Sequence, residues 1–144
     1  MNMSFGRYEG KPVAWVLLED FQYFTWMDSN GMREYQEIKF AIQLACAFDK
    51  LPFKNVICRG TCNGQNPVTR LALYNGMYNG EHWFCDKCDP YRNGAFSGTL
   101  TYINKVEEVV GCGKDLQIII KAMANAKGVP RRKTSRSLKI FFGY

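Results

Sequence analysis

Apolar and polar residues follow different rhythms along this chain, and the rhythm changes near residues 51 and 94. Between Glu34 and Phe48, the residues Ile38, Ala41, Ile42, Ala45 and Phe48 recur every three to four positions. That spacing predicts an amphipathic helix, with Glu37, Lys39 and Gln43 mostly off its apolar face. Leu51-Pro52 breaks the pattern. Ahead of it, Val13–Leu18 is an apolar run suited to a short helix. Asp20 can cap a second helix over Phe21–Asp28, with Tyr23, Phe24 and Met27 on one face and Trp26 beside them. Asn30-Gly31 ends that helix. Residues 5–12 alternate aromatic, glycine and charged positions, which predicts a hairpin or strand–turn.

The rhythm then shortens to two. Over Val68–Tyr74, Thr69, Leu71 and Leu73 alternate with Arg70, Ala72 and Tyr74, as in a strand. Asn75-Gly76 and Asn79-Gly80 are turn signals, and His82-Trp83-Phe84 returns as a second strand. Gly94–Gly98 reads as a loop. Thr99–Val110 predicts a helix with Tyr102, Val106 and Val109 on one face, although Ile103 and the threonines also suit a strand start. Gly111-Cys112-Gly113 interrupts the chain. Asp115–Lys127 returns to helical spacing through Leu116, Ile119, Ile120, Met123 and Ala126, and Gly128-Val129-Pro130 stops it. Thr134 or Ser135 can cap a last helix reaching Phe142, with Leu138, Phe141 and Phe142 apolar.

Four cysteines give the middle segment its chemistry. Cys58 and Cys62 form a C-x3-C pair, and Cys85 and Cys88 a C-x2-C pair 22 residues further on. Each pair can grip one ion from one side, and a hairpin returns the second pair to complete a tetrahedron. That is the ligand set of a single structural zinc ion, closed by four sulfurs. Two strands between two such knuckles is the plan of a zinc ribbon. Disulfides or unrelated buried thiols are the competing explanation. His82, three residues before Cys85, is a substitute ligand that four thiolates make unnecessary. Cys46 reads as a small core residue, and Cys112 as a turn residue or a reactive thiol.

With 144 residues, the chain can hold one domain or two very small ones. Either half alone would be marginal, and a metal staple contributes on the order of 10 kcal/mol of apparent binding in small zinc modules. The expected organisation is a hairpin–helix module at 1–50, the ribbon at 51–93 and a basic helical segment at 94–144, packed as one compact α+β unit. Met1–Lys11 carries no apolar signal-peptide core, and no stretch approaches the roughly 20 apolar residues that span a bilayer. A cytoplasmic location is expected, where disulfides are disfavoured and metal binding is favoured.

The net charge of +6 is uneven. Residues 1–50 carry five basic and seven acidic side chains, 51–93 five and three, and 94–144 nine and three. Lys127, Arg131, Arg132, Lys133, Arg136 and Lys139 follow one another with no acid between them. Guanidinium forks and free backbone N–H groups at a helix start suit phosphate oxygens, so a polyanion is the expected partner. Arg59 and Lys87 flank the cysteines and extend this track, while Lys54, Arg70 and Arg92 lie nearby. Tyr74, Tyr78, Trp83 and Tyr91 are interleaved and could stack bases, although Trp83 reads better as core.

Phe5-Gly6-Arg7-Tyr8-Glu9-Gly10-Lys11-Pro12, followed by Tyr23-Phe24-Thr25-Trp26-Met27, resembles the small C-terminal module of exodeoxyribonuclease X-type proteins and related stand-alone bacterial and phage proteins. The likeness covers roughly the first 30 residues. It implies a compact accessory fold associated with DNA processing, in a bacterial cell or in the host of a phage. Within it, Arg7, Tyr8 and Lys11 match polar positions that could touch nucleic acid. The exonuclease domain of that family has no counterpart here.

No catalytic constellation stands out. His82 is the single histidine, the carboxylates form no recognisable two-metal spacing, and phosphate-binding glycine loops are absent. The expectation is a non-catalytic zinc-stabilised nucleic-acid-binding protein, for DNA more than RNA and with weak sequence preference. It has no membrane or small-molecule partner. Two alternatives are an adaptor or inhibitor docking on a nucleic-acid-processing or defence complex, and an accessory nuclease component.

Overall fold

The computed structural model describes residues 1–88 and 100–144. Among them, helices accompany a three-stranded antiparallel sheet, which gives an α+β chain. The chain divides into two compact units, Met1–Leu51 with Val129–Tyr144, and Pro52–Gly128. A boundary at residue 51 coincides with the break expected at Leu51-Pro52. The segment 94–144 is shared between the units, because its last helix packs with the N-terminal helices.

In the first unit, the hairpin expected over 5–12 reduces to a tight loop closed by a single antiparallel bridge, Asn2 with Pro12. The Met3 N–H donates to the Lys11 carbonyl (2.8 Å) and the Gly10 N–H to the Met3 carbonyl (2.9 Å). Gly6 has φ +76°, and a Cβ there would collide with the Tyr23 hydroxyl. Helix α1 (Val13–Glu19) buries Val13, Ala14, Val16, Leu17 and Leu18. Asp20 alone separates it from α2 (Phe21–Ser29), which buries Tyr23, Phe24 and Met27. Asp20 occupies the N-cap position, but its side chain makes no cap hydrogen bond. Its carboxylate accepts from Arg7 Nη2 (2.7 Å) and the Tyr8 hydroxyl (2.6 Å) instead.

Helix α3 (Gln36–Lys50) turns a slightly different face inward from the expected one. Ile38, Ala41, Leu44 and Phe48 are buried, whereas Ile42 is exposed. Glu37 is buried and accepts from the Ser4 hydroxyl at 2.6 Å, which is how a carboxylate is accommodated on that face. Cys46, expected in the core, is exposed.

In the second unit, β1 (Arg70–Tyr74) is central, between β2 (Trp83–Phe84) and β3 (Leu100–Ile103). Arg70 pairs with Phe84 and Leu71 with Trp83 on one side; Leu71 pairs with Ile103 and Tyr74 with Leu100 on the other. Asn75 (φ +55°) and Gly76 (φ +70°) form the turn after β1, as Asn-Gly predicts. Of the stretch expected as a helix or strand start after Thr99, residues 100–103 take the strand alternative and only 106–110 are helical. Tyr102 and Ile103, suited to a pleated surface, extend as β3, and a 3-10 helix follows over Val106–Asp115. Gly113 kinks that stretch at φ +58° and ψ −126°. Helix α4 (Leu116–Lys127) buries Leu116, Ile119, Ile120, Met123 and Ala126, the face its spacing predicts, and Gly128 ends it in the left-handed region. The loop expected at 94–98 lies outside the described residues.

The remaining helix, α5 (Ser135–Phe142), belongs to the first unit. Thr134 Oγ1 accepts from the Ser137 N–H (3.0 Å), and Ser137 Oγ accepts from the Thr134 N–H (2.9 Å). Leu138 is fully buried, and the Tyr144 ring meets Phe40 of α3 edge to face at 5.2 Å. No helix among the described residues is long and apolar enough to cross a membrane.

Candidate metal centre

The two knuckles converge. One ligand atom from each of Cys58, Cys62, Cys85 and Cys88 lies within 4.8 Å of all the others. Four sulfurs bound at about 2.3 Å in a tetrahedron stand about 3.8 Å apart, so this cluster is the size of a single-ion site. All six cysteines are free thiols, and Cys58, Cys85 and Cys88 are buried while Cys62 is half-buried. Such a cluster could hold a metal ion.

Pairing of β1 with β2 brings the knuckles together, because Cys85 directly follows the Phe84 that opposes Arg70. The Thr69 N–H continues the ladder to the Phe84 carbonyl (3.0 Å), and the Arg59 N–H donates to the Trp83 carbonyl (2.9 Å). Both bonds fix the knuckles to the strand ends. Trp83 is buried and packs on Phe53 at 4.9 Å, as expected of a core residue.

Backbone N–H groups are aimed at the sulfurs. Cys58 Sγ accepts from the Gly60 N–H (3.3 Å) and the Cys85 N–H (3.2 Å), and Cys85 Sγ accepts from Asn66 Nδ2 (3.6 Å). These donors favour thiolates. Burial opposes the charge on Cys85, but the N–H groups of Lys87 and Cys88, the Asn66 amide and the Cys88 thiol bring its pKa down to about 6. The Asn66 N–H lowers that of Cys62. Burial dominates at Cys58 and pushes it up to about 11 in the absence of a cation. A divalent ion would compensate that burial, and the donor set of four sulfurs with convergent N–H groups fits such an ion.

Three supporting residues carry no signal in the spacing. A Cβ on Gly60 would collide with both Cβ and Sγ of Cys88, so glycine is what allows the knuckles to close. Arg70 Nη2 donates to the Cys88 carbonyl at 2.8 Å, and its guanidinium lies 3.9 Å from the Tyr102 ring centroid. Arg70 thus braces the second knuckle rather than facing solvent. Asn66 is the third. Each acts through a contact that the fold creates. His82 stays apart from the four sulfurs, with Nε2 3.1 Å from Asn79 Oδ1.

The expected phosphate-contacting cations have different fates. Arg59 and Lys87 are exposed beside the cysteines. Lys127 is corrected: it is 2% exposed, with its ammonium 4.7 Å from the Phe53 ring centroid, and cannot face a phosphate chain there. Lys133 is half-buried and pairs with Glu19 at 3.0 Å. Arg131, Arg132, Arg136 and Lys139 are exposed, and their side chains form no ion pair among the described residues. Arg7 pairs with Asp20, and Lys11 lies 5.1 Å from the Trp15 ring centroid. Tyr91 and Arg92 lie outside the described residues. Compared with known proteins, the chain matches no family model, no curated protein and no solved structure.

Proposed function

We propose that this is a non-catalytic nucleic-acid-binding protein whose Pro52–Gly128 unit is a zinc ribbon held by one structural Zn²⁺ on Cys58, Cys62, Cys85 and Cys88. Four cysteine ligands close a tetrahedral site and leave no position for a reacting water, which favours a scaffold over a catalyst. Thiolate-only donors suit zinc among the common intracellular cations.

The observation that carries the binding reading is the set of exposed guanidinium groups at Arg131, Arg132 and Arg136 around the start of α5, with no ion pair among the described residues. Residues 1–51 alone have an excess of acids. The C-terminal segment of the same unit adds five basic side chains and no acid, which reverses the sign. DNA is favoured over RNA on the N-terminal resemblance. Few residues of the basic segment suit base-edge readout, which favours weak sequence preference.

Binding to labelled DNA and RNA oligonucleotides across a salt series tests this reading. Three phosphates neutralised on a duplex give a slope of about −2.7 in log K against log[salt]. Reversing Arg131, Arg132 and Arg136 to Glu abolishes binding. Salt-independent binding, or full binding by the reversed variant, would overturn it and favour the adaptor alternative.

A further inference from the structure

The first unit carries a groove of about 740 Å³ whose lining includes Gly6, Arg7, Asp20, Gln22, Tyr23 and Trp26. Its volume is in the range of small-molecule and cofactor sites. Trp26 is 50% exposed. Its ring stacks on Tyr23 with centroids 5.6 Å apart and planes 25° apart, so one indole face is backed and the platform is rigid. The Arg7 guanidinium lies 5.4 Å from the Tyr23 ring centroid and 5.0 Å from that of Tyr8. Asp20 holds it there by accepting from Arg7 and from the Tyr8 hydroxyl. Two stacked rings, a guanidinium and the Gln22 amide together suit a flat heteroaromatic ring with hydrogen-bonding edges.

Charge selects the class of ligand. Lys133 pairs at 3.0 Å with Glu19, the residue next to groove-lining Asp20. That ion pair ties the segment carrying Arg131 and Arg132 to the residue that precedes Asp20. We propose that the groove takes an unpaired nucleobase, stacked on Trp26, of a single strand whose phosphates lie along Arg131 and Arg132. The inference rests on the nucleic-acid-binding reading above and deepens it by naming the strand state and the base site. A duplex keeps its bases stacked internally and cannot enter.

Fluorescence anisotropy with a single-stranded DNA oligonucleotide and a duplex of the same sequence tests it at one fixed salt concentration. Trp26→Ala weakens single-strand binding about tenfold, the loss of one stacked base, and leaves duplex binding unchanged. Trp26→Phe stays within about twofold of the unaltered protein, because a phenyl face still stacks. Equal single-strand affinity for Trp26→Ala and the unaltered protein overturns the base site while leaving phosphate binding intact. Equal weakening on both oligonucleotides, or a Trp26→Phe as weak as the alanine variant, also overturns it. An unaltered protein that binds neither oligonucleotide overturns the base site and the nucleic-acid reading together.

Discussion

Gly60 shows how much of the four-cysteine cluster depends on single atoms. Its φ is not in the left-handed region, so the reason for glycine is steric: Cys88 occupies the space of the missing Cβ. Gly60→Ala forces the knuckles apart and misdirects the N–H now aimed at Cys58 Sγ. Metal affinity should fall about 10- to 100-fold, the usual cost of losing an outer-shell support, as read by competition with a chromophoric chelator. Arg59→Ala, one residue away and exposed, should leave that affinity unchanged. The four cysteines were legible from spacing because two thiolates that share an ion from one turn must be neighbours in sequence. Arg70 and Asn66 were not, because their partners Cys88 and Cys85 are 18 and 19 residues away and meet them only after β1 pairs with β2. Asp20 reads as a cap from its neighbours alone, and an Arg and a Tyr more than ten residues back take its carboxylate.

At the level of elements, α5 combines the best local signal with the largest tertiary dependence. Thr134 and Ser137 cap it reciprocally, and Thr134→Ala should cost about 1 kcal/mol by urea denaturation of the first unit. Leu138 is its one buried residue. Leu138→Ala should cost about 2–5 kcal/mol by the same measurement, because a short helix depends on that single anchor. Helices α3 and α4 were evident from their periodicity. The detail of α3 differs because Ser4 supplies a partner for Glu37, which lets a carboxylate occupy a buried position and leaves Ile42 outside. The stretch after residue 99 failed as a helix because its apolar spacing suits both periods over four residues. Register with β1 decides for a strand, Tyr102 opposite Ala72 and Ile103 opposite Leu71.

For the whole molecule, two compact units imply two responses to metal removal. Chelation should unfold or loosen Pro52–Gly128, whose knuckles are joined only by hydrogen bonds and packing among the described residues, and leave the helical unit near its original stability. Trp83 reports on the first event, and Trp15 and Trp26 on the second. Each Trp can be isolated by replacing the other two with Phe, and thermal melts with and without chelator read the difference. A single transition that shifts as one would contradict the division. Charge also belongs to this scale. Residues 1–51 are acidic in composition, and only the return of 129–144 makes their unit basic.

What the order of residues determined by itself is local: the helices α3 and α4 from their apolar spacing, a turn at Asn75-Gly76, a cap at Thr134 or Ser135, and two pairs of thiols able to share an ion. Those depend on interactions within a few positions, so they can be read from neighbours. The tertiary structure decided which cations stay free, burying Lys127 and tying Lys133 to Glu19. It also built the aromatic groove and converted a helical-looking segment to β3. Each of these depends on groups far apart in sequence, whose approach costs chain entropy and follows from how the apolar faces pack.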